Sequence, residues 1–314
     1  MRCFAILLVL GVSIASAARS AGCGKTSPYK GTSSQQLEWD DKNREFVLTV
    51  PSKYNNNQPL PLLLGFHGWT LSCTNLALCG NAACDLDTYA STMGYVFVNV
   101  CGYMRSFNAG RCCAPANGMD LDDVGMAKEI VETLSNTLCI DTDKVWATGF
   151  SNGAMFSEVL ACQASDVFSA VASVAGIVEI SPGGKSGFAK CKASYTATGE
   201  LSTSVLMVHG SADLVVPWSG NFLIGYPSVS DNLAHWSSLN GCTGKGAQTY
   251  NNGDYTNTLY TTCGHGTQVE LLRNSGGGHT WPRYQSFDTT KYASECMIDY
   301  CRYILQFFAR VSGW

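Results

Sequence analysis

An α/β fold, with a mostly parallel central sheet and helices on both faces, is predicted by three observations. Continuously apolar, β-rich runs of four to seven residues alternate with helix-forming stretches along most of the chain. One of those runs passes through Gly149-Phe150-Ser151-Asn152-Gly153 directly into a helical stretch, a sharp strand-to-helix turn. The length, 314 residues, suits one sheet covered on two sides.

The elements follow from the pattern in chain order. Strands are expected at Phe46–Val50, Leu62–Phe66, Val96–Val100, Lys144–Gly149, Ala170–Ala175, Val205–His209 and Val269–Leu272. A helix over Asp122–Leu138 places Ala127, Ile130, Val131, Leu134 and Leu138 on one face. Further helices are expected at Asn152–Cys162, Asp231–Leu239 and Ser294–Arg310, with long connections at Gly68–Cys84, Cys101–Met119 and Ser181–Leu201. Long loops at strand ends are where such a fold places its ligands. No repeat and no Pro/Ser/Thr-rich linker divides the chain, so residues 18–314 read as a single domain.

Residues 1–17 have the form of an export signal: Arg2, the apolar run Phe4 to Ile14, then Ala15-Ser16-Ala17. Their removal takes Cys3 from the 15 cysteines, leaving an even 14, which together with export points to disulfides. Cys242–Cys263 and Cys139–Cys162 are the expected local pairs, each bracketing one compact segment. The adjacent Cys112 and Cys113 are expected to bond to two different partners. Cys73, Cys79 and Cys84 lack a tight Cys-x2-Cys pair, so zinc is not expected.

Loss of Arg2 takes the 20 Lys+Arg to 19 against 24 Asp+Glu. This acidic balance, without a basic run, excludes nucleic acid and anionic membrane as expected partners. No later run of about twenty apolar residues suggests a membrane span. A secreted, extracellular monomer is the expectation. No Asn-x-Ser/Thr sequon is present.

Acyl transfer needs a nucleophile, a base, a carboxylate that orients the base, and donors for an oxyanion. Ser151, at the centre of the Gly-x-Ser-x-Gly turn, is the candidate nucleophile. Asp213 lies on the turn after the Val205–His209 strand and is the candidate acid. His279, in Gly276-Gly277-Gly278-His279-Thr280-Trp281-Pro282, follows the last strand and is the candidate base, the glycines letting its loop curl back. Asp254 reads as a turn former, Asp122 and Asp123 as helix caps, and His209, His235 and His265 as core or solvated residues. The backbone N–H of Asn152 is the expected first oxyanion donor. The second is expected from the His67-Gly68-Trp69 loop, with Trp69 N–H as the candidate and His67 shaping the loop.

From about Cys23 to the C-terminus these features together resemble the secreted polyhydroxybutyrate depolymerase/feruloyl esterase family of α/β-hydrolases. The resemblance is carried by Gly22-Cys23-Gly24-Lys25, by Ser106 to Cys113 with Asp122-Asp123-Val124-Gly125, and by Gly149–Gly153. His209-Gly210-x-x-Asp213 and Gly278-His279-Thr280-Trp281-Pro282 complete it. It implies an α/β-hydrolase fold with disulfide-bonded loops over the active site. It also implies Ser151, Asp213 and His279 as catalytic residues, and ester hydrolysis with no metal or organic cofactor. The Cys73–Cys84 insertion and the Arg283–Glu295 loop have no match in the family pattern. Trp218, Trp281 and Phe107 fall near the candidate residues and are the expected substrate contacts. A feruloyl ester linked to polysaccharide is the leading substrate, and a poly(3-hydroxybutyrate) polyester the alternative. An extracellular acyltransferase and an inactive binding homologue complete the set of readings.

Overall fold

The computed structural model of the chain describes residues 18–73, 86–198, 203–281 and 299–314. Nine strands form one sheet: β1 (Gly31–Trp39), β2 (Lys42–Val50), β3 (Leu60–Phe66), β4 (Val96–Val100), β5 (Ile140–Phe150), β6 (Ala170–Val174), β7 (Ser204–Gly210), β8 (Tyr255–Tyr260) and β9 (Val269–Asn274). Their order is β1-β2-β4-β3-β5-β6-β7-β9-β8. The run from β4 to β9 is parallel, and antiparallel strands β1, β2 and β8 close the two ends. Every residue of β3, β4, β6 and β7 is buried, the burial expected of parallel strands covered on both faces.

Six helices cover the sheet: α1 (Leu86–Thr92), α2 (Asp123–Thr137), α3 (Asn152–Gln163), α4 (Gly184–Ala197), α5 (Val229–Leu239) and α6 (Tyr300–Ser312). Strand alternation divides the interior. Val145 and Ala147 of β5 join Ile130 of α2, Phe156 of α3 and Trp236 of α5 on one face. Trp146 points the other way, where its ring stacks on Phe308 of α6 at 5.1 Å. Buried Glu158 of α3 joins that helix to α5, accepting from Trp236 Nε1 at 2.8 Å and Asn232 Nδ2 at 2.9 Å. Burial pushes its carboxyl above the ordinary carboxylate range despite those bonds.

The helix ends follow local capping chemistry. Asp122 caps α2 by accepting from Gly125 N–H at 2.8 Å. Ser228 caps α5, which starts two residues before the expected Asp231. Asp299 caps α6, and Gly313 at φ 64° ends it; the earlier part of the expected Ser294–Arg310 helix lies outside the described residues. Helix α4 occupies a stretch expected as a loop. It buries only Gly187, Cys191 and Tyr195, a one-residue-wide stripe that leaves no broad apolar face to read. Strands β1 and β8 also escape the apolar pattern, because both are polar strands at sheet edges.

Five disulfides are described: Cys23–Cys139, Cys73–Cys101, Cys112–Cys113, Cys162–Cys191 and Cys242–Cys263. The expected Cys139–Cys162 pair is therefore corrected. Cys139 precedes β5 against the N-terminal segment, where Ser20 N–H bonds Ile140 O at 3.0 Å, and so it meets Cys23. Cys162, near the end of α3, faces Cys191 on the buried stripe of α4. Cys112 and Cys113 bond to each other, not to separate partners. The segment 1–17 and the Cys79, Cys84 and Arg283–Glu295 positions lie outside the described residues. Among the described residues no helix is long and apolar enough to cross a membrane.

The Cys23–Cys139 link spans 116 residues, the longest separation of the five. Replacing both cysteines by alanine is expected to lower unfolding free energy by about 2–5 kcal/mol. Urea denaturation of the oxidised proteins measures it, and an unchanged midpoint would refute that contribution.

Candidate active site

Between the end of β5 and the start of α3, Ser151 adopts φ 54° and ψ −117°, a backbone conformation that L-residues rarely occupy. Two bonds hold it there: Ser151 N–H donates to Val174 O at 2.9 Å, and Met155 N–H donates to Ser151 O at 2.9 Å. The flanking glycines are required by close approach. A Cβ on Gly153 would lie 2.1 Å from Phe66 O, and one on Gly149 would lie 2.3 Å from the Gly153 carbonyl carbon. The turn thus presses α3 against the end of β3 and raises the serine hydroxyl at the sheet edge.

Asp213 and His279 reach the same edge from β7 and β9. The two loops are stitched together, with Ser211 N–H bonded to Asn274 O at 2.8 Å and Ala212 N–H to Gly277 O at 2.9 Å. A Cβ on Gly210 would meet Gly277 O at 2.2 Å, so this junction too depends on a bare backbone. Asp213 Oδ1 accepts from the N–H groups of Val215 and Val216, each at 2.8 Å. Its Oδ2 lies 2.7 Å from His279 Nδ1, and His279 Nε2 lies 2.9 Å from Ser151 Oγ. An ionised carboxylate only accepts, so Nδ1 carries the proton and Nε2 accepts from the serine hydroxyl. Burial alone would raise the Asp213 carboxyl. The hydrogen bonds from His279, Val216 and Val215 outweigh it and leave the group below its ordinary pKa, hence charged.

Asn152, the first residue of α3, is fully buried, and at that position its N–H has no acceptor within the helix. Its side chain grips the loop after β4: Oδ1 accepts from Phe107 N–H at 2.8 Å and Nδ2 donates to Phe107 O at 2.9 Å. Cys112 Sγ lies 3.8 Å from the same Nδ2. Trp69 is half exposed and its indole N–H donates to Ala114 O at 2.6 Å, bridging the loops after β3 and β4. His67 is buried. Its Nδ1 donates to Gly68 O at 2.8 Å, and its Nε2 accepts from Gly102 N–H at 3.0 Å. A neutral ring suits that pairing, and burial lowers its pKa to about 4.

The structure therefore brings Ser151, Asp213, His279, Asn152 and Trp69 to one sheet edge. It moves two expected substrate contacts into the core. Phe107 is fully buried, stacked on Phe156 at 5.4 Å, because the Asn152 clamp draws its backbone inward. Trp281 is 4% exposed and packs with the α6 side of the sheet. Trp218 stays half-buried under the Arg273 guanidinium, 5.2 Å from its ring centre. His209 lies buried beneath the acid, its Nε2 2.8 Å from Val216 O. His235 stacks on Phe188, and His265 sits in a short turn. Asp254 lies in the bend before β8. Asp122 caps α2, whereas Asp123 is buried against Arg44 and accepts from Asn108 N–H at 2.6 Å. The Arg44–Asp123 pair and the Asn152 clamp had no sequence signal, because each joins segments far apart in the chain.

The model of the prolyl oligopeptidase family matches residues 120–183, which span the elbow. A feruloyl esterase B from Piromyces equi is 26% identical over 245 residues, 75% of this chain but 42% of its own length. A probable feruloyl esterase C from Aspergillus flavus is 28% identical over 231 residues, 73% of this chain and 74% of that protein. The solved acetyl xylan esterase from Aspergillus awamori superposes at TM-score 0.59 and 18% identity, covering 82% of this chain and 97% of its own. The chain is an α/β-hydrolase. Within that fold, the sequence relatives it is similar to are feruloyl esterases.

His67 and His235 are both held by burial near pKa 4, below the ordinary 6.5. Between those values the unfolded rings take up protons that the folded ones refuse, so their stabilising contribution falls as pH drops from about 6.5 towards 4. The stability advantage of wild type over His67→Gln is expected to shrink between about pH 7 and pH 4.5 in urea melts. A constant advantage would mean that the His67 pKa is the same in the folded and the unfolded chain.

Proposed function

We propose that this chain hydrolyses esters through Ser151 as nucleophile, His279 as general base and Asp213 as the orienting acid. The observation that carries the reading is the continuous chain from Asp213 Oδ2 to His279 Nδ1 at 2.7 Å and from His279 Nε2 to Ser151 Oγ at 2.9 Å. The Ser151 hydroxyl proton passes to His279 Nε2 as Oγ bonds to the ester carbonyl carbon. Charged Asp213 stabilises the imidazolium. The oxyanion is held by the N–H groups of Asn152 and Trp69; among the described residues the Trp69 N–H has no backbone acceptor. His279 then returns the proton to the departing alkoxide. Water, deprotonated by the same imidazole, releases the acid from the serine ester.

The substrate proposed is a feruloyl ester carried on polysaccharide. The feruloyl esterase relatives support it. A polyester of 3-hydroxy acids is the second reading, favoured by Leu214 and Val215, which stand 91% and 58% exposed beside Asp213. Secretion of residues 18–314 as a single catalytic domain, after loss of 1–17, is part of the proposal. The five disulfides and the one sheet support it.

Initial rates on methyl ferulate and on 3-hydroxybutyrate oligomers separate the two substrates. The ferulate ester is expected to give the higher kcat/KM, and the reverse order would establish the polyester. Ser151→Ala is expected to abolish turnover, and Asp213→Asn to lower kcat by about 10⁴-fold, through the wrong imidazole tautomer. Wild-type turnover by a folded Ser151→Ala protein would overturn the mechanism.

A further inference from the structure

Beside the Ser151 site, three connections at the same sheet edge enclose a cavity of about 670 Å³. Arg111 enters it from the loop after β4, Lys185 from the first turn of α4, and Phe222, Leu223 and Tyr226 from the loop after Asp213. Arg111 is tied to the site through the next residue, Cys112, whose Sγ lies 3.8 Å from the Asn152 side chain.

Arg111 is built in but not neutralised. Its Nη1 donates to Pro182 O at 3.1 Å, whereas its Nε stands 4.0 Å from Glu179 Oε2, beyond hydrogen-bond reach. Glu179 is buried, and neither of its oxygens has a hydrogen-bond partner. Burial raises its pKa to about 8 against the pull of the Arg111 charge. Two glycines keep the guanidinium uncovered: a Cβ on Gly183 would fall 2.7 Å from Arg111 Cδ, and one on Gly225 would fall 3.1 Å from Arg111 Nε. Both glycines also hold positive φ, 83° and 81°.

Among the lining residues two cations, Arg111 and Lys185, face one acid, Asp231. Lys185 is a second exposed cation. Asp231, the acid among the lining residues, accepts from Ser228 Oγ at 2.7 Å within the capped first turn of α5. His235 is neutral, its pKa lowered to about 4. A cationic hollow on a chain of net charge −4 runs against the charge of the whole. Its rim is apolar: Phe222 is 88% exposed and Leu223 76%.

A planar guanidinium fork matches a carboxylate, and an exposed aromatic face matches the C–H face of a sugar ring. We propose that the cavity is a subsite for a uronate residue of the polysaccharide, its carboxylate on Arg111 and its ring against Phe222. The assignment rests on the reading of Ser151 as an esterase that attacks a polysaccharide-linked ester. It defines the substrate class as acidic polysaccharides carrying ester groups near a uronate.

The test is calorimetric titration of the full chain carrying Ser151→Ala, with a glucuronate-bearing oligosaccharide and with its carboxyl-reduced, neutral counterpart. The acidic ligand is expected to bind at least about tenfold tighter, with the preference weakened at about 0.5 M NaCl and lost when Arg111→Gln is added. Equal affinities, absence of binding by both, or a preference that survives Arg111→Gln would overturn the subsite. The two-ligand comparison needs no change at position 111, so poor folding of that variant does not spoil it. Hydrolysis of methyl ferulate by the unsubstituted chain reports the esterase reading separately.

Discussion

Helix α3 approaches the end of β3 so closely that a single methyl group on Gly153 would press into the Phe66 carbonyl at 2.1 Å. The rest of the site depends on that approach. It forces the chain to turn within one residue, which puts Ser151 at positive φ and leaves the Asn152 N–H without a partner in its helix. The same device recurs where the Asp213 and His279 loops meet, since a Cβ on Gly210 would press into the Gly277 carbonyl. Bare backbone at both junctions lets residues from β5, β7 and β9 converge within hydrogen-bond distance. The strain at Ser151, of order 1–3 kcal/mol for such a conformation, is held by a fully buried parallel sheet.

How much of this was legible in the chain depended on whether the signal was local. Ser151, Asp213 and His279 each sit in a short motif after an apolar strand, so the three positions were legible as candidates, and the sheet order β5-β6-β7-β9 is what brings them together. The seven apolar strands were legible for the same reason. Polar edge strands β1 and β8 carry no such signal, and α4 buries only Gly187, Cys191 and Tyr195. The cysteine pairing was illegible because Cys23 and Cys139 are brought together by the N-terminal segment crossing beside β5, a long-range event. Aromatic residues misled in a different way. Proximity in sequence to a reactive group says nothing about which way a ring points, and Phe107 and Trp281 point inward.

The long loop after β4 shows how a connection without regular structure is held rigid. Asp123 anchors it twice, through Arg44 from β2 and through the Asn108 N–H, while Asn152 takes both polar groups of Phe107. A buried ion pair of this kind adds little net stability by itself. Its effect is to fix the loop's path, and with it the position of Arg111 and of Cys112 against the Asn152 side chain.

The double grip of Asn152 on Phe107 also bears on how this scaffold can be diversified. The proposed oxyanion role asks only for a main-chain N–H at position 152, which any residue but proline supplies. The carboxamide, however, matches the one donor and the one acceptor of a single residue's backbone, a pairing that Asp, Leu and Ser cannot reproduce. A randomised library at this position would therefore be winnowed by loop geometry before chemistry was ever sampled. Changes meant to widen the neighbouring cavity belong instead on Phe222 and Leu223, whose side chains are largely exposed.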